Sequence, residues 1–256
     1  MRLIDSHAHL DAEAFDADLP AVLARARADG VVASVVPAVE AAGFAKLKSL
    51  AQTHSGLAPA YGLHPMYLDR HRPEHLAVLR DWLEHERPCA VGECGLDHHV
   101  EGLDPERQRE FLIGQLQLAR EFDLPVILHA RRALDEVIAL LRRIGGLRGV
   151  VHSFSGSREQ ATQLFRLGFH LGIGGPVTFE RAARLRGVVA WMPLEFLLLE
   201  TDAPDQPDAD WRGQRNEPAR LPRVLQSIAQ LRDEPMDAIA EQTTRNAATL
   251  FGLSLD

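Results

Sequence analysis

Six side chains of metal-ligating type close apolar stretches along this sequence. His7 and His9 follow Leu3 and Ile4, Glu93 follows Ala90-Val91-Gly92, and His129 closes Val126-Ile127-Leu128. His152 closes Val150-Val151, and Asp202 follows Leu198-Leu199-Glu200-Thr201. Each stretch has strand composition, and each candidate stands before a loop or a helix start. That recurrence places scattered side chains at one common rim. Imidazole with carboxylate suits Zn²⁺, Mn²⁺ or similar ions, while the two carboxylates leave Mg²⁺ open.

Each candidate also has a plainer reading. With 12 histidines in the chain, a lone His-x-His is weak, and a solvated pair would look the same. Residues two apart share a face on a strand but not on a helix, so an extended segment lets both imidazoles grip one ion. Glu93 sits in an apolar run, where an unpaired carboxylate is costly. It either bridges two cations or pairs with a buried Arg. His129 and His152 could each be satisfied core residues. Their succession after Glu93 favours ligands. Arg131 shares the face of His129 and could hold a phosphate or carboxylate, or brace an ion pair. Glu200 competes with Asp202, which is nearer the rim. Cys94 should point to the opposite face from Glu93.

The elements that must carry these residues are legible. Eight apolar runs cover 3–7, 31–37, 57–63, 89–92, 125–129, 149–152, 170–174 and 196–200. Most are continuous rather than alternating, as in parallel strands buried on both faces. Between them Leu134, Val137, Ile138, Leu141 and Ile144 step by three and four, as do Leu221, Val224, Leu225, Ile228 and Leu231. Ser157 with Gln160 fits a capping box, and a last helix from Pro235 should stop at Gly252. Strand and helix alternating eight times predict an α/β fold, a (β/α)8 TIM barrel with its site at the C-terminal strand ends. A doubly wound sheet would instead concentrate its site at one crevice. Candidates from five different strands favour closure, and residues 1–256 read as one domain. The polar loop 204–217 should lie over the site.

Composition narrows the function. The chain has 256 residues and a net charge of −8, so it offers no broad basic face for duplex DNA. A polyanionic substrate must be gripped locally. Cys89 and Cys94, if extended, lie roughly 16 Å apart, beyond disulfide reach. Neither an apolar leader nor a run of membrane-spanning length is evident, so the reading is cytoplasmic, with no membrane or obligate protein partner. Two divalent cations held by the six candidates would acidify a shared water, with Asp202 as its general base and Glu93 bridging the ions. No Ser-His-Asp or Cys-His arrangement competes. Gly172-Ile173-Gly174-Gly175 lacks dinucleotide spacing, and a glycosidase has no use for four histidines.

Taken together, several segments resemble the TatD family of metal-dependent hydrolases, from one end of the chain to the other. They are Asp5-Ser6-His7-Ala8-His9-Leu10, Gly62-Leu63-His64-Pro65, Gly92-Glu93-Cys94-Gly95-Leu96-Asp97 and Leu128-His129-Ala130-Arg131. His152-Ser153-Phe154-Ser155-Gly156, Glu200-Thr201-Asp202-Ala203-Pro204 and Arg215-Asn216-Glu217-Pro218 complete the set. The resemblance implies a barrel with two divalent ions. His7, His9, Glu93 and Asp202 would surround one, and Glu93, His129 and His152 the other. It also implies that His64 lies in the site, in a bracing or phosphate-contact role. The implied activity is a deoxyribonuclease of 3′–5′ exonuclease type acting on single-stranded DNA ends, or removal of D-amino acids from tRNA.

Two departures bear on substrate. His98-His99 and Asp205 stand where nuclease-like members often carry aromatic residues, which hold single-stranded bases. Trp211 and Phe154 remain stacking candidates, and Arg131, Arg212 and Arg215 suit a phosphate-bearing substrate. The leading expectation is a two-metal phosphodiesterase. The alternatives are an ester or amide hydrolase and a metal-binding scaffold without catalysis.

Overall fold

In the computed structural model, residues 1–254 are described. Eight strands form one parallel sheet in sequential order: β1 (Leu3–Asp5), β2 (Val31–Pro37), β3 (Leu57–Tyr61), β4 (Ala90–Asp97), β5 (Val126–Arg131), β6 (Gly149–Val151), β7 (Phe169–Ile173) and β8 (Leu197–Leu199). Helices alternate with them: α1 (Leu19–Ala28), α2 (Phe44–Thr53), α3 (His75–Glu86), α4 (Pro105–Glu121), α5 (Leu134–Ile144), α6 (Arg158–Arg166), α7 (Ala183–Trp191), α8 (Leu221–Arg232) and α9 (Met236–Phe251). The order β1 to β8 without reversal leaves no crevice of the doubly wound type.

Closure comes from the segments just beyond β1 and β8. The Ser6 amide donates to the Leu199 carbonyl at 2.9 Å, Asp202 N–H to His7 O at 2.9 Å, and His9 N–H to Ala203 O at 2.7 Å. Asp5 pins the same seam: its Oδ1 accepts from Thr201 N–H (3.0 Å) and its Oδ2 from the Thr201 hydroxyl (2.5 Å). This is a (β/α)8 barrel.

Two apolar layers hold it. Inside, Ile4, Val35, Ala60, Ile127, Val150 and Leu198 meet, and α9 packs Leu250 and Phe251 onto them. Asn246 of α9 donates to the carbonyls of Leu194 and Leu197, so this helix lies beneath the N-terminal end of β8. Outside, the Leu and Val of the opposite strand faces pack against the surrounding helices, including Val137, Ile138 and Leu141 of α5 and Val224, Leu225 and Ile228 of α8. The capping box at Ser157 forms, with Gln160 N–H on the Ser157 hydroxyl and the Gln160 side chain accepting from Ser157 N–H. Gly252 ends α9 at φ 63°.

β4 departs from the sequence expectation. It was expected to stop at Gly92, but runs on through Asp97 after a register shift against β5 between Val91 and Cys94. Gly95 permits this close approach, because a Cβ there would stand 1.9 Å from the His129 carbonyl oxygen. Conversely, β1 ends at Asp5, so His7 and His9 lie beyond the ladder. Residues 6–9 stay beside it, held by Val35 on one side and Leu199 and Ala203 on the other. No helix of the described residues is long and apolar enough to cross a membrane.

Candidate metal centre

The C-terminal ends of the strands bring all six candidates together around Glu93. Its Oε2 lies 3.1 Å from His7 Nε2 and 3.3 Å from His9 Nε2. Its Oε1 lies 2.8 Å from His152 Nε2 and 3.2 Å from His129 Nδ1. Asp202 Oδ1 faces the first group, 3.5 Å from His7 Nε2 and 3.7 Å from His9 Nε2. The rings of His7 and His152 stack at 3.9 Å, with 9° between their planes. One carboxylate thus has an oxygen in each of two nests.

With neutral imidazoles the donors and acceptors here do not satisfy one another. His9 Nδ1 lies 3.2 Å from the Pro37 carbonyl, which fixes its proton there and leaves a lone pair on Nε2 in the neutral ring. His129 Nε2 lies 2.9 Å from Asp97 Oδ2, which likewise leaves the lone pair on Nδ1. In the neutral rings both lone pairs would point at carboxylate oxygens, acceptor against acceptor. Against the effect of burial, the neighbouring carboxylates raise the pKa of His129 and push that of His9 up to about 9. A cation would supply that positive charge in place of the protons. Glu93 Oε2 is buried with no hydrogen-bond partner among the described residues. Ligand atoms bound at about 2.0–2.2 Å to one cation stand roughly 3–3.5 Å apart, the spacing found here. The arrangement fits cations on both sides of Glu93. Candidate groupings include His7 with His9 and Asp202, and His7 with Glu93 and His152.

The neighbours sharpen the electrostatics. Burial would raise the Glu93 carboxyl, but the imidazoles of His152, His64 and His7 hold it well below its usual range. Burial raises Asp202. That carboxylate is aimed by a left-handed backbone at φ 57° and by the Gln206 amide, which donates to Oδ2. Gln206 is held by the Ser153 hydroxyl at 2.9 Å, and Ser153 N–H donates to Glu200 Oε1 at 2.6 Å. Glu200 is buried, and burial pushes its pKa up to about 8. It sits behind His152, 3.8 Å from Nδ1, in space that Gly172 leaves open. The competitor for the role of Asp202 therefore lies behind the rim.

The family described as TatD related DNase matches residues 4–252. The chain belongs to the TatD family. It is a metal-dependent hydrolase of that family. It is 46% identical over 258 residues to an uncharacterized metal-dependent hydrolase, YjjV, of Escherichia coli K12, covering 98% of each chain. The crystal structure of YjjV, a TatD homologue from the same strain, matches with a TM-score of 0.94 at 43% identity, with 99% of each chain covered. A protein of Erwinia amylovora named 3′-5′ ssDNA/RNA exonuclease TatD is 36% identical over 259 residues, covering 98% of this chain and 100% of that one.

Within this TatD barrel the remaining sequence candidates divide. His64 is buried beside Glu93, with Nε2 at 2.9 Å from Oε1. Its Nδ1 accepts the Met66 amide, so the proton rests on Nε2 and is donated to Glu93. His64 therefore orients the carboxylate. Arg131 lines the cavity above the centre and has no ion-pair partner among the described residues. Arg215, expected at the substrate, is engaged elsewhere: it pairs with Asp18 at 2.7 Å and covers the ring of Phe15. The loop 204–217 returns to α1 at that point, which draws Arg215 away from the mouth. Phe154 is buried, and Trp211 is turned to the Arg215 carbonyl. His98 lies 3.6 Å from Glu136, away from the cluster. Asp205 lines the cavity.

From sequence, Asp97, Asp5, Ser153 and Gln206 have no role, and Glu200 stands only as a competitor of Asp202. Period two from Glu93 along an extended β4 places Asp97 on the same face, a signal hidden by the intervening glycines. The other contacts join residues distant in sequence and have no local signature.

Proposed function

We propose that this chain is a two-metal phosphodiesterase that removes nucleotides from single-stranded nucleic-acid ends, in the 3′–5′ sense. The observation that carries this reading is Glu93, whose two oxygens face two separate imidazole nests. His7, His9, Glu93 and Asp202 would hold one cation, and Glu93, His129 and His152 the other. When bound, such cations acidify a water and polarise the phosphoryl oxygen under attack. The chain supplies the remainder. Asp202 presents Oδ1 to His7 and His9, while Oδ2 keeps a lone pair for the proton of the attacking water. Gln206 fixes that carboxylate, and His64 fixes Glu93. The 36% identity to a protein named as a 3′-5′ ssDNA/RNA exonuclease supports the substrate class.

The test is hydrolysis of 3′- and 5′-labelled single-stranded DNA, beside a D-aminoacyl-tRNA, with Zn²⁺, Mn²⁺ or Mg²⁺. DNA shortening from the 3′ end should fall by about 10²–10⁴ in Asp202→Asn. Deacylation with intact DNA would replace this reading by the ester hydrolase.

A further inference from the structure

The cavity over the centre has a volume of about 1140 Å³. That is a little above the roughly 300–1,000 Å³ of pockets that hold one drug-sized molecule. Among the described residues its cationic lining consists of Lys46, Arg70 and Arg131. Lys46 is matched by Asp16 at 2.6 Å and Arg70 by Glu40 at 2.7 Å. Among the described residues Arg131 alone of the three has no carboxylate partner. Asp11, Glu13 and Asp205, none of them a proposed cation ligand, line the same cavity. Away from the bound cations a long polyanion would therefore meet repulsion, with Arg131 the one cationic side chain of the lining left unmatched among the described residues to offset it. Beside this, Tyr67 lines the cavity, in T-shaped contact with the His64 ring at 5.8 Å and with the Arg70 guanidinium 5.1 Å from its centroid. An aromatic ring paired with a guanidinium is a stacking partner for one base.

We infer that the mouth recognises a single terminal nucleotide unit, with Arg131 holding its phosphate and the ring of Tyr67 its base, and does not track a strand. This rests on the phosphodiesterase reading and narrows it. The bulk of a longer substrate stays in solvent, where it adds no affinity. Recognition of this kind substitutes at Tyr67 for the aromatic residues missing at His98 and Asp205.

The test is calorimetric binding to the metal-loaded protein at 50 and 200 mM salt. The probes are thymidine 5′-monophosphate, inorganic phosphate, and phosphorothioate-linked oligothymidylates of two and ten residues. Nucleotide affinities should agree within about threefold across length. The ten-mer should weaken by about threefold between the two salts, since one neutralised phosphate of a single strand contributes a slope of about −0.7. Tyr67→Leu should weaken the nucleotides by about tenfold and leave inorganic phosphate unchanged, as expected for one lost stack. Arg131→Gln should weaken every probe. A ten-mer that binds more than about tenfold tighter than the mononucleotide, or loses more than about twentyfold with salt, overturns the inference. So does an unchanged affinity in Tyr67→Leu. Hydrolysis of the corresponding phosphodiester dinucleotide is scored separately: cleavage with length-dependent binding removes this inference alone, and length-independent binding without cleavage removes the phosphodiesterase reading.

Discussion

Asp97 Oδ2 lies 2.9 Å from His129 Nε2, and this contact decides which nitrogen of His129 faces Glu93. Asp97 is itself fixed by the amides of His99 and Val100 at 2.8 and 3.0 Å. These bonds and that from His129 overcome the effect of burial and hold its carboxyl well below the usual range. Carboxylates behind metal-bound histidines typically contribute 10–100-fold in metal affinity. Asp97→Ala should therefore weaken cation binding by about that factor, as read by competition with a fluorescent chelator. Unaltered affinity would deny Asp97 any part in orienting His129.

Asp5 makes a different kind of contact. It joins the segments beyond β1 and β8, and accepts from Thr201 N–H, the Thr201 hydroxyl and His7 N–H. Removing its side chain strands buried backbone donors, each at about 1–3 kcal/mol. Asp5→Ala should lower unfolding free energy by about 2–4 kcal/mol in urea titrations. Burial pushes the Asp5 pKa up to about 7, so a neutral carbonyl serves there nearly as well. Asp5→Asn should cost less than half as much, and equal losses would sink the argument.

Cation removal should be visible as lost stability. A ligand at about 100 times its Kd adds about 2.7 kcal/mol to the folded state. For a chain of this length each kcal/mol moves Tm by roughly 2–4 °C. Chelation should thus lower Tm by about 5–10 °C, while an Asp202→Asn, Glu93→Gln double variant shows a much smaller response. A Tm indifferent to chelator in the wild type would count against cation binding at the rim.

His170 on β7 gives a pH dependence unconnected with the cluster. Burial lowers its pKa, and its Nδ1 has no hydrogen-bond partner among the described residues. The unfolded chain takes up a proton near the ordinary value of about 6.5. The folded chain resists it until lower pH. Stability from this residue is full above about 6.5 and is lost as pH falls through the folded value, by at most about 1.4 kcal/mol per unit. Urea midpoints of metal-loaded wild type and His170→Gln should converge, or cross in favour of the variant, between pH 7.5 and 5.5. A constant difference would mean that His170 titrates normally.

The sequence was most informative where local pattern and burial coincide. The runs ending at Leu128 and Val151 are apolar because both faces of a barrel strand are covered, so the histidines beyond them stand out. The helices α5 and α8 begin at the expected Leu134 and Leu221 for the same reason. β4 was harder. Its glycines resemble a loop exit, yet they serve a close approach to β5, and with them the alignment of Asp97 was missed. Arg215 misled because its type suits a phosphate, while its partner Asp18 lies 197 residues away in the chain. Contacts such as Ser153 with Gln206 depend on how loops settle after closure, and no periodicity encodes them.

The seam at Asp5 and Thr201 couples positions 196 residues apart. During synthesis His7 and His9 emerge early and wait for nearly the whole chain before Asp202 can face them. A chain still being synthesised would lack Asp202 opposite these histidines, and full-strength cation capture would come only in the last stage of maturation. A metal-sensitive signal followed during refolding would then act as a clock for the moment the cylinder shuts.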